Sequence, residues 1–284
     1  MSPRVDVQTL RGRKRRDGAE PIVMVTAYDH PGASIASAAG VDLILVGDSV
    51  ANNVLGYEDT LSVTVDDMVH HIAAVARARP ECLIVGDMPW MSYHLGSEDA
   101  VFNAARLIRA GAQCVKLEGG RKRVPAIEAI VNAEIPVMGH LGLTPQSVHA
   151  MGGMRVQGRR VDAAGALIAD AKAVEAAGCF AVVVEGVPDA LGAAVTAALE
   201  IPTIGIGAGA DCDGQVLVFH DVLGLGPARA PKFVRRYANL AEDAVKALAA
   251  FAADVRSGAF PTAAESYEAS EQLRAALAPR SERA

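Results

Sequence analysis

The sequence predicts a single α/β domain built as a closed (β/α)₈ barrel, and three observations support this fold class. The chain has 284 residues, and such a barrel typically needs roughly 250 residues in one domain. Eight short apolar segments recur along it, and segments with helical periodicity lie between them. Apolar residues make up 51% of the chain and charged residues 21%, a composition that excludes general disorder.

The eight apolar segments are the predicted strands. Each is bounded by glycine, proline or a polar residue, and each is continuously apolar, as expected of strands buried on both faces of a parallel sheet. Strand–helix alternation with short links predicts right-handed βαβ units, and eight strands favour a closed barrel over an open sheet. The predicted strands are Ile22–Ala27, Leu43–Val46, Leu83–Val85, Cys114–Leu117, Pro136–Met138, Ala181–Val184, Thr203–Ile206 and Val216–Phe219.

Capping residues and helical periodicity define the predicted helices. Thr64 and Asp67 have the spacing of a capping box at the start of one helix. Ser97 is the expected cap of a second helix, Glu98–Ala110, and Gly111 is expected to end it. Further helices are predicted at Val124–Asn132, Asp162–Ala177 and Asp189–Leu199, and from near Val234 toward Val255.

The predicted barrel domain spans residues 1–260, with a basic N-terminal arm or helix, and residues 261–284 form a polar, alanine-rich tail. The basic residues fall in Arg11–Arg16, and no aromatic residues are interspersed among them. We therefore expect a solvated face there rather than an RNA-binding segment. Two connections, Ser49–Val63 and Leu141–Val161, are long enough to be lids or binding loops.

Charge, hydropathy and cysteine spacing exclude several functional classes. The formal net charge of −6 argues against a protein whose whole surface binds nucleic acid. No run of about 18 apolar residues predicts a membrane span, and no apolar stretch typical of a signal peptide follows the basic N-terminus. The four cysteines are far apart and form no Cys-x-x-Cys pair. A reduced, cytoplasmic chain without a zinc site is the simplest interpretation.

Ionisable residues end five successive predicted strands. They are Asp48, Asp87, Glu118, His140 and Glu185. In a barrel the carboxyl ends of all strands open on one face, which is where such enzymes place their chemistry. Each acid taken alone is more often a helix cap, and a buried core histidine is the ordinary explanation of His140. Five such residues together are harder to explain by capping, so we expect them to line one mouth.

Three of these residues form a candidate metal site. Asp48, Asp87 and Glu118 offer only hard oxygen ligands, which suit Mg²⁺ better than zinc. Glu185 comes from a more distant strand and is the candidate general base. A divalent cation that chelates a 2-oxo acid polarises its carbonyl and stabilises the enolate. The residues therefore predict proton abstraction next to a carbonyl, without choosing the electrophile.

Two further side chains are candidate ligands of the substrate carboxylate, and one glycine-rich motif is ambiguous. Lys116 lies two residues before Glu118 on the fourth predicted strand, so both project to the same side of the strand. Ser49 follows the first strand-end acid. The motif Gly205-Ile-Gly-Ala-Gly resembles a phosphate cradle but fits neither the dinucleotide fingerprint nor the P-loop. A tight turn that permits close backbone approach is the preferred interpretation.

Several motifs resemble the ketopantoate hydroxymethyltransferase family (3-methyl-2-oxobutanoate hydroxymethyltransferases). The resemblance covers roughly Thr9 to Tyr267 and is most specific at residues 139–147 and 201–218. The motifs are Val25-Thr-Ala-Tyr-Asp, Val46-Gly-Asp-Ser, Gly86-Asp-Met-Pro, Val115-Lys-Leu-Glu-Gly-Gly, Gly139-His-Leu-Gly-Leu-Thr-Pro-Gln-Ser, Ile201-Pro-Thr-Ile-Gly-Ile-Gly-Ala-Gly, Asp213-Gly-Gln-Val-Leu-Val and Ser257-Gly-Ala-Phe-Pro.

The resemblance implies a TIM barrel of the phosphoenolpyruvate/pyruvate-like superfamily that makes ketopantoate for the pantothenate and coenzyme A pathway. Such an enzyme moves a one-carbon unit from 5,10-methylenetetrahydrofolate to 3-methyl-2-oxobutanoate through a magnesium-stabilised enolate. Family members are similar in forming homo-oligomers, commonly decamers. Trp90 stands where phenylalanine is frequent in the family, and the basic run near the N-terminus is unusual.

The resemblance also implies a role for each candidate residue. Asp48 and Asp87 look like direct magnesium ligands that also contact the substrate, and Glu118 looks like a third metal ligand. Glu185 looks like the base that forms the enolate. The implied substrate contacts also include Ser49, Lys116 and His140.

Two alternative functions remain open at this point. One is a magnesium-dependent carbon–carbon lyase of the isocitrate lyase or phosphoenolpyruvate mutase type, although the Lys–Cys loop motif of those enzymes is not found in this sequence. The other is a non-catalytic protein that uses the basic N-terminal arm to bind RNA.

Overall fold

A computed structural model describes residues 5–226 and 231–277 of the chain. Eight parallel strands form a closed barrel in sequence order, with β1 paired to β8. The predicted fold class is confirmed, and the first seven strands lie where they were predicted. The eighth strand lies two residues earlier than the predicted Val216–Phe219, because Phe219 begins a helix. The strands are β1 (Ile22–Thr26), β2 (Leu43–Val46), β3 (Leu83–Asp87), β4 (Cys114–Glu118), β5 (Val137–Gly142), β6 (Ala181–Glu185), β7 (Thr203–Ile206) and β8 (Gly214–Leu217).

Most of the strands are followed by a helix. The helices are α1 (Val7–Arg11), α2 (His30–Ala38), α3 (Val65–Arg77), α4 (Ser97–Ala110), α5 (Val124–Asn132), α6 (Val148–Met151), α7 (Val161–Ala176), α8 (Asp189–Ala198), α9 (Phe219–Leu223), α10 (Leu240–Ser257) and α11 (Glu271–Leu277). No helix in the described part of the chain is both long and apolar enough to span a bilayer.

The predicted capping box is present, and two other helix-start predictions are wrong. The Thr64 hydroxyl accepts from the Asp67 amide, while the Asp67 carboxylate accepts from the Thr64 amide. Ser97 lies inside α4 rather than capping it, and its hydroxyl donates to the Pro125 carbonyl instead. The last long helix begins at Leu240 and not near Val234, and Asn239, which precedes it, has a non-helical conformation.

Side chains along each strand alternate between two apolar layers. On β4, Cys114 belongs to the cluster inside the barrel, whereas Val115 and Leu117 pack between the sheet and the helices. Lys116 and Glu118 therefore share the inward side with Cys114. The same alternation places the strand-end residues of β3, β5 and β6 inward, above an apolar interior. These residues lie within the strands, since the strands extend further than the sequence predicted.

The N-terminal segment closes the opposite end of the barrel. Leu10 on α1 is buried against the interior cluster. The Lys14 ammonium is buried 2.7 Å from the Asp213 carboxylate at the start of β8, and it also donates to the carbonyls of Thr196 and Ile201. Arg15 donates to the carbonyl of Ala210. The expectation of a solvated basic face is therefore wrong for Lys14, which is buried, whereas Arg11, Arg15 and Arg16 are exposed.

The chain divides into two compact units, residues 1–236 and 237–284. The first contains the whole barrel. The second contains α10 and α11, and the rings of Phe251 and Phe260 make an edge contact within it, with their centroids 5.4 Å apart. The boundary at 236 differs from the predicted domain limit at 260, and the assignment of residues 1–260 and 261–284 as domain and tail stays a prediction.

Both long connections contain local structure. The segment after β2 forms one π-helical turn, Ala51–Leu55, which ends at Gly56 in the left-handed conformation. The segment after β5 forms a 3₁₀ turn, Pro145–Ser147, and then α6. These segments lie at the carboxyl end of the barrel, where they border the candidate site.

Candidate active site

The carboxyl ends of the strands enclose a cavity of about 100 Å³, which we call the active-site cavity. All seven polar residues that the sequence singled out line it, although they come from five different strands or the loops after them. Apolar side chains such as Leu45, Val183 and Val216 close the cavity from below. The seven residues are Asp48, Ser49, Asp87, Lys116, Glu118, His140 and Glu185.

An ion pair joins the adjacent strands β3 and β4 inside the cavity. The Lys116 ammonium lies 2.8 Å from Asp87 Oδ1, and both side chains are buried. Burial, together with the nearby charges of Asp48 and Glu118, raises the pKa of Asp87 to about 7 against the opposing charge of Lys116. Burial lowers the pKa of Lys116, but the three surrounding carboxylates outweigh it and raise that pKa. The lysine is therefore a fixed positive charge at neutral pH.

His140 bridges two carboxylates on the neighbouring strands. Its Nδ1 lies 3.3 Å from Glu118 Oε1, and its Nε2 lies 3.0 Å from Glu185 Oε2. Burial and the charge of Lys116 lower the pKa of His140, but the contacts with the two carboxylates outweigh them and raise it to about 9. Burial also raises the pKa of Glu118. The Glu185 side chain is 16% exposed, whereas those of His140 and Glu118 are 4% and 2% exposed. Glu185 is therefore the most accessible of the three.

Gln146 ties the loop after β5 to two of the predicted metal ligands. Its side-chain amide donates to Asp48 Oδ2 at 2.9 Å, and its backbone amide donates to Glu118 Oε2 at 3.0 Å. Its side-chain carbonyl accepts from the Tyr93 hydroxyl at 2.6 Å. We did not single out Gln146 from the sequence, although it lies within the motif Gly139–Ser147. Tyr93 lies on the irregular segment between β3 and α4.

Ser49 links the cavity wall to β1. Its hydroxyl lies 2.8 Å from the hydroxyl of the buried Tyr28, whose pKa burial raises to about 12. The neighbouring backbone amide of Asp48 donates to Asp87 Oδ2 at 3.1 Å. These contacts fix the ends of β1, β2 and β3 relative to one another.

The donor set suits a divalent cation. Asp48, Asp87, Glu118 and Glu185 face two cationic side chains, Lys116 and protonated His140, so negative charge is in excess if all four acids are ionised. A buried excess of carboxylates needs a counter-ion, and hard oxygen ligands suit Mg²⁺. Across the described ranges 5–226 and 231–277, no group of three or more His, Cys, Asp or Glu side chains is arranged so that it could hold a metal ion.

The glycine-rich segment after β7 forms a tight turn. Gly207 and Gly209 have left-handed φ angles of +61° and +87°. A Cβ atom at Gly209 would lie 2.7 Å from the Cβ atom of Asp189 on α8. The left-handed φ angles explain both glycines, and at Gly209 the close approach of the α8 backbone adds to this, as the preferred interpretation of the sequence expected.

Comparisons with known proteins show the family of the chain. The family model of ketopantoate hydroxymethyltransferase matches residues 4–263. A 3-methyl-2-oxobutanoate hydroxymethyltransferase of Bradyrhizobium diazoefficiens is 55% identical, over 97% of this chain and 93% of its own length. Another of that name from Moorella thermoacetica is also 55% identical, over 93% of this chain and 98% of its own length.

Solved structures share the fold at low sequence identity. Phosphonopyruvate hydrolase superposes with a TM-score of 0.59 at 14% identity, covering 94% of this chain and 93% of its own. The 2,3-dimethylmalate lyase, a member of the PEP mutase/isocitrate lyase superfamily, gives a TM-score of 0.56 at 17% identity, covering 94% and 92%. At such identities the likeness concerns the barrel alone. By the family match and the 55% identical relatives, this chain belongs to the ketopantoate hydroxymethyltransferase family.

Proposed function

We propose that this chain transfers a hydroxymethyl group from 5,10-methylenetetrahydrofolate to 3-methyl-2-oxobutanoate, giving 2-dehydropantoate (ketopantoate) for pantothenate and coenzyme A biosynthesis. The observation that carries the proposal is the convergence of seven predicted polar side chains in one small cavity, in a chain 55% identical to relatives named for this reaction. The cavity suits a short 2-oxo acid because it combines cationic side chains, which can bind a carboxylate, with an apolar floor.

Asp48, Asp87 and Glu118 are the residues that would hold Mg²⁺. When bound, the ion would supply the positive charge that polarises the 2-oxo acid carbonyl and makes the adjacent C–H more acidic. Gln146 supports this assignment because it orients the carboxylates of both Asp48 and Glu118. Outer contacts of this kind fix the direction in which metal ligands point.

Lys116 and Ser49 would bind the substrate carboxylate. Lys116 contributes a permanent charge in a buried site, where electrostatic attraction is stronger than in water. Ser49 contributes a hydroxyl whose position is set by Tyr28. Both line the same cavity as Glu185, so an acid held by them would lie beside that carboxylate.

Glu185 would remove the methine proton. The C–H bond breaks, the proton moves to a Glu185 carboxylate oxygen, and the electron pair remains on the acid as an enolate. His140 orients the Glu185 carboxylate, because its Nε2 lies 3.0 Å from Glu185 Oε2. A carboxylate in a partly desolvated mouth is a suitable general base.

The enolate carbon then forms the new C–C bond to the methylene carbon of the co-substrate. Water supplies the hydroxyl oxygen, and both C–N bonds of the methylene bridge break. One proton from water and the proton held by Glu185 go to the two released nitrogens. Tetrahydrofolate and ketopantoate are the products.

The first test is exchange of the substrate methine proton with deuterated solvent. We expect Glu185→Gln to retain binding of Mg²⁺ and 3-methyl-2-oxobutanoate but to lose exchange by roughly 100-fold or more, the size expected for loss of a general base. Glu128→Gln, on the exposed face of α5, is the matched control and should exchange at the parent rate. Unchanged exchange in Glu185→Gln, followed by NMR, would assign the base to another residue.

The lyase alternative receives less support. Its fold is shared at 13–18% identity, whereas the transferases match at about 50–55% over nearly the whole chain. The family resemblance further supports a homo-oligomer, commonly a decamer, which light scattering would test. All four cysteines are buried and free, in keeping with the cytoplasmic setting that we propose.

A further inference from the structure

A second recess lies beside the active-site cavity at the same end of the barrel. It has a volume of about 380 Å³ and is bordered by the segments after β1, β2 and β8. We call it the side recess. The wall residues used below are Tyr28, Asp29, Ile35, Val54, Phe219 and His220.

The active-site cavity is too small for both substrates. Its volume is about 100 Å³, below the range of about 300–1,000 Å³ typical of sites for larger ligands. It accommodates a short oxo acid, but the bicyclic ring of a reduced folate needs space elsewhere. The volume of the side recess falls within that range.

The two spaces share a wall. Tyr28 lines the side recess, and its hydroxyl contacts Ser49 of the active-site cavity at 2.8 Å. On the β8 side, Phe219 lines the recess, while its backbone amide donates to the hydroxyl of Thr26, which lines the cavity. A ligand in the recess is therefore adjacent to the acid, as a donor of a one-carbon unit must be.

The wall of the recess offers aromatic faces together with hydrogen-bonding groups. The His220 ring lies 5.6 Å from Tyr28 and 5.9 Å from Phe219, measured between centroids. His220 Nδ1 is buried and has no hydrogen-bond partner within the described residues. Burial lowers the pKa of His220, so the ring is neutral at pH 7. The carboxylate of Asp29 stands exposed at the edge. Such a wall suits a flat, neutral heterocycle with N–H donors.

We infer that the side recess binds the pterin ring of the reduced folate co-substrate, with the ring against Tyr28, Phe219 and His220. This inference rests on the proposed function and adds the location of the second substrate. His220 Nδ1 pairs with a ring donor or acceptor, and Asp29 accepts from ring N–H groups. The methylene carbon then points across the shared wall toward the acid.

Filling the recess tests the inference. Ile35 and Val54 are about half-exposed wall residues, so Ile35→Trp and Val54→Trp add bulk without disturbing the core. We expect each to weaken tetrahydrofolate binding at least tenfold, measured anaerobically by calorimetry, and to raise the KM for 5,10-methylenetetrahydrofolate similarly. Ser34→Trp, exposed on the same helix but outside the recess, is the control and should bind tetrahydrofolate as the parent does.

His220→Phe tests the polar contact separately. It keeps an aromatic ring but removes Nδ1, and we expect tetrahydrofolate binding to weaken about fivefold or more. Both kinds of variant should still bind 3-methyl-2-oxobutanoate and exchange its methine proton, because the acid occupies the other space.

The outcomes separate the two hypotheses. Normal proton exchange combined with undiminished tetrahydrofolate binding by Ile35→Trp and Val54→Trp would overturn the recess assignment alone. Absence of exchange in the parent enzyme would contradict the proposed function itself. Loss of both tetrahydrofolate binding and exchange in the Trp variants, with normal folding, would show that the recess and the cavity are one site and would also overturn the assignment.

Discussion

The side chain of Gln146 illustrates how a neutral residue can control a charged site. It contacts Asp48 directly, reaches the Met88 carbonyl at 3.0 Å and accepts from Tyr93. An amide has both a donor and an acceptor, so one group can satisfy a carboxylate and a phenol together. The geometry of the acids therefore depends on a loop residue that carries no charge.

Replacing Gln146 by leucine should weaken the metal site without removing a ligand. Gln146→Leu deletes the contacts with Asp48 and Tyr93, and loss of an outer-shell partner typically costs about 10–100-fold in metal affinity. Calorimetric titration with Mg²⁺ measures the change. Gln157→Leu, further along the same loop and outside the cavity, should leave affinity unchanged. Parent affinity in Gln146→Leu would show that Asp48 holds its position without the side-chain amide.

Asp87→Asn should weaken Mg²⁺ binding by roughly tenfold or more, because a neutral amide replaces a charged oxygen ligand. The same titration with Asp66→Asn, exposed in the first turn of α3, controls for loss of one negative charge outside the cavity. An affinity equal to that of the parent would remove Asp87 from the metal ligands.

The residues of the site were predictable because a strand has a period of two. Asp87, Glu118 and Glu185 follow apolar strand residues, and alternation alone turns them toward the interior. Gln146 and Tyr93 were not predictable in this way because they lie on irregular segments, where spacing says nothing about direction. Their contacts depend on how the loops after β3 and β5 fold over the barrel.

At the scale of elements, the N-terminal segment stabilises the last two strands. Asp213 accepts from the Lys14 ammonium and from the backbone amides of Arg15 and Thr203. These contacts join the segment before β1 to β7 and β8, next to the place where the barrel closes. A buried ion pair of this kind is strongly destabilised when one partner is removed.

Lys14→Met should lower the free energy of unfolding by about 3–5 kcal/mol, because it leaves Asp213 buried without its counter-ion. Urea unfolding measures the change. Arg16→Met is the control, since Arg16 pairs with the largely exposed Glu200, and such surface pairs contribute about 0–1 kcal/mol. If both variants lost the same small amount, Lys14 would have no special role in closing the barrel.

Helix ends and contacts were predicted well where residues close in sequence determine them. They were predicted less well where segments distant in sequence determine them. The capping box at Thr64 needs only neighbours in sequence, and it is present. Ser97 has the right residue type for a cap, but its hydroxyl donates a hydrogen bond to the Pro125 carbonyl on the adjacent helix instead. Lys14 lies in a basic run whose composition indicates exposed side chains. Its partner Asp213 is 199 residues away in sequence, so the ion pair could not be predicted from neighbouring residues.

At the scale of the whole molecule, the buried charges make stability depend on pH. His140 has a pKa raised from 6.5 to about 9 in the folded protein. A base with a raised pKa contributes stability that is complete below the unfolded pKa and is lost as pH rises through the folded value. The pKa of Asp87 is raised from 3.8 to about 7, so this group also makes the folded protein less stable as pH rises, but over a lower pH range.

We therefore expect the metal-free enzyme to become less stable between pH 6.5 and 9, by up to about 3 kcal/mol from His140. Thermal unfolding in the presence of EDTA measures the trend. His140→Gln should flatten the dependence in this window, whereas His70→Gln, exposed on α3, should retain it. A parent enzyme whose stability rises across the window would contradict a protonated His140 in the folded state.

The inward alternation along the strands has a consequence for how such barrels diverge. The lower inward row, such as Cys114 on β4 and Val183 on β6, is apolar, while the uppermost row carries the acids and the imidazole. Substitutions in the upper row can change the reaction while the packing beneath stays intact. Proteins named as a hydrolase and a lyase share this barrel fold at 14–17% identity.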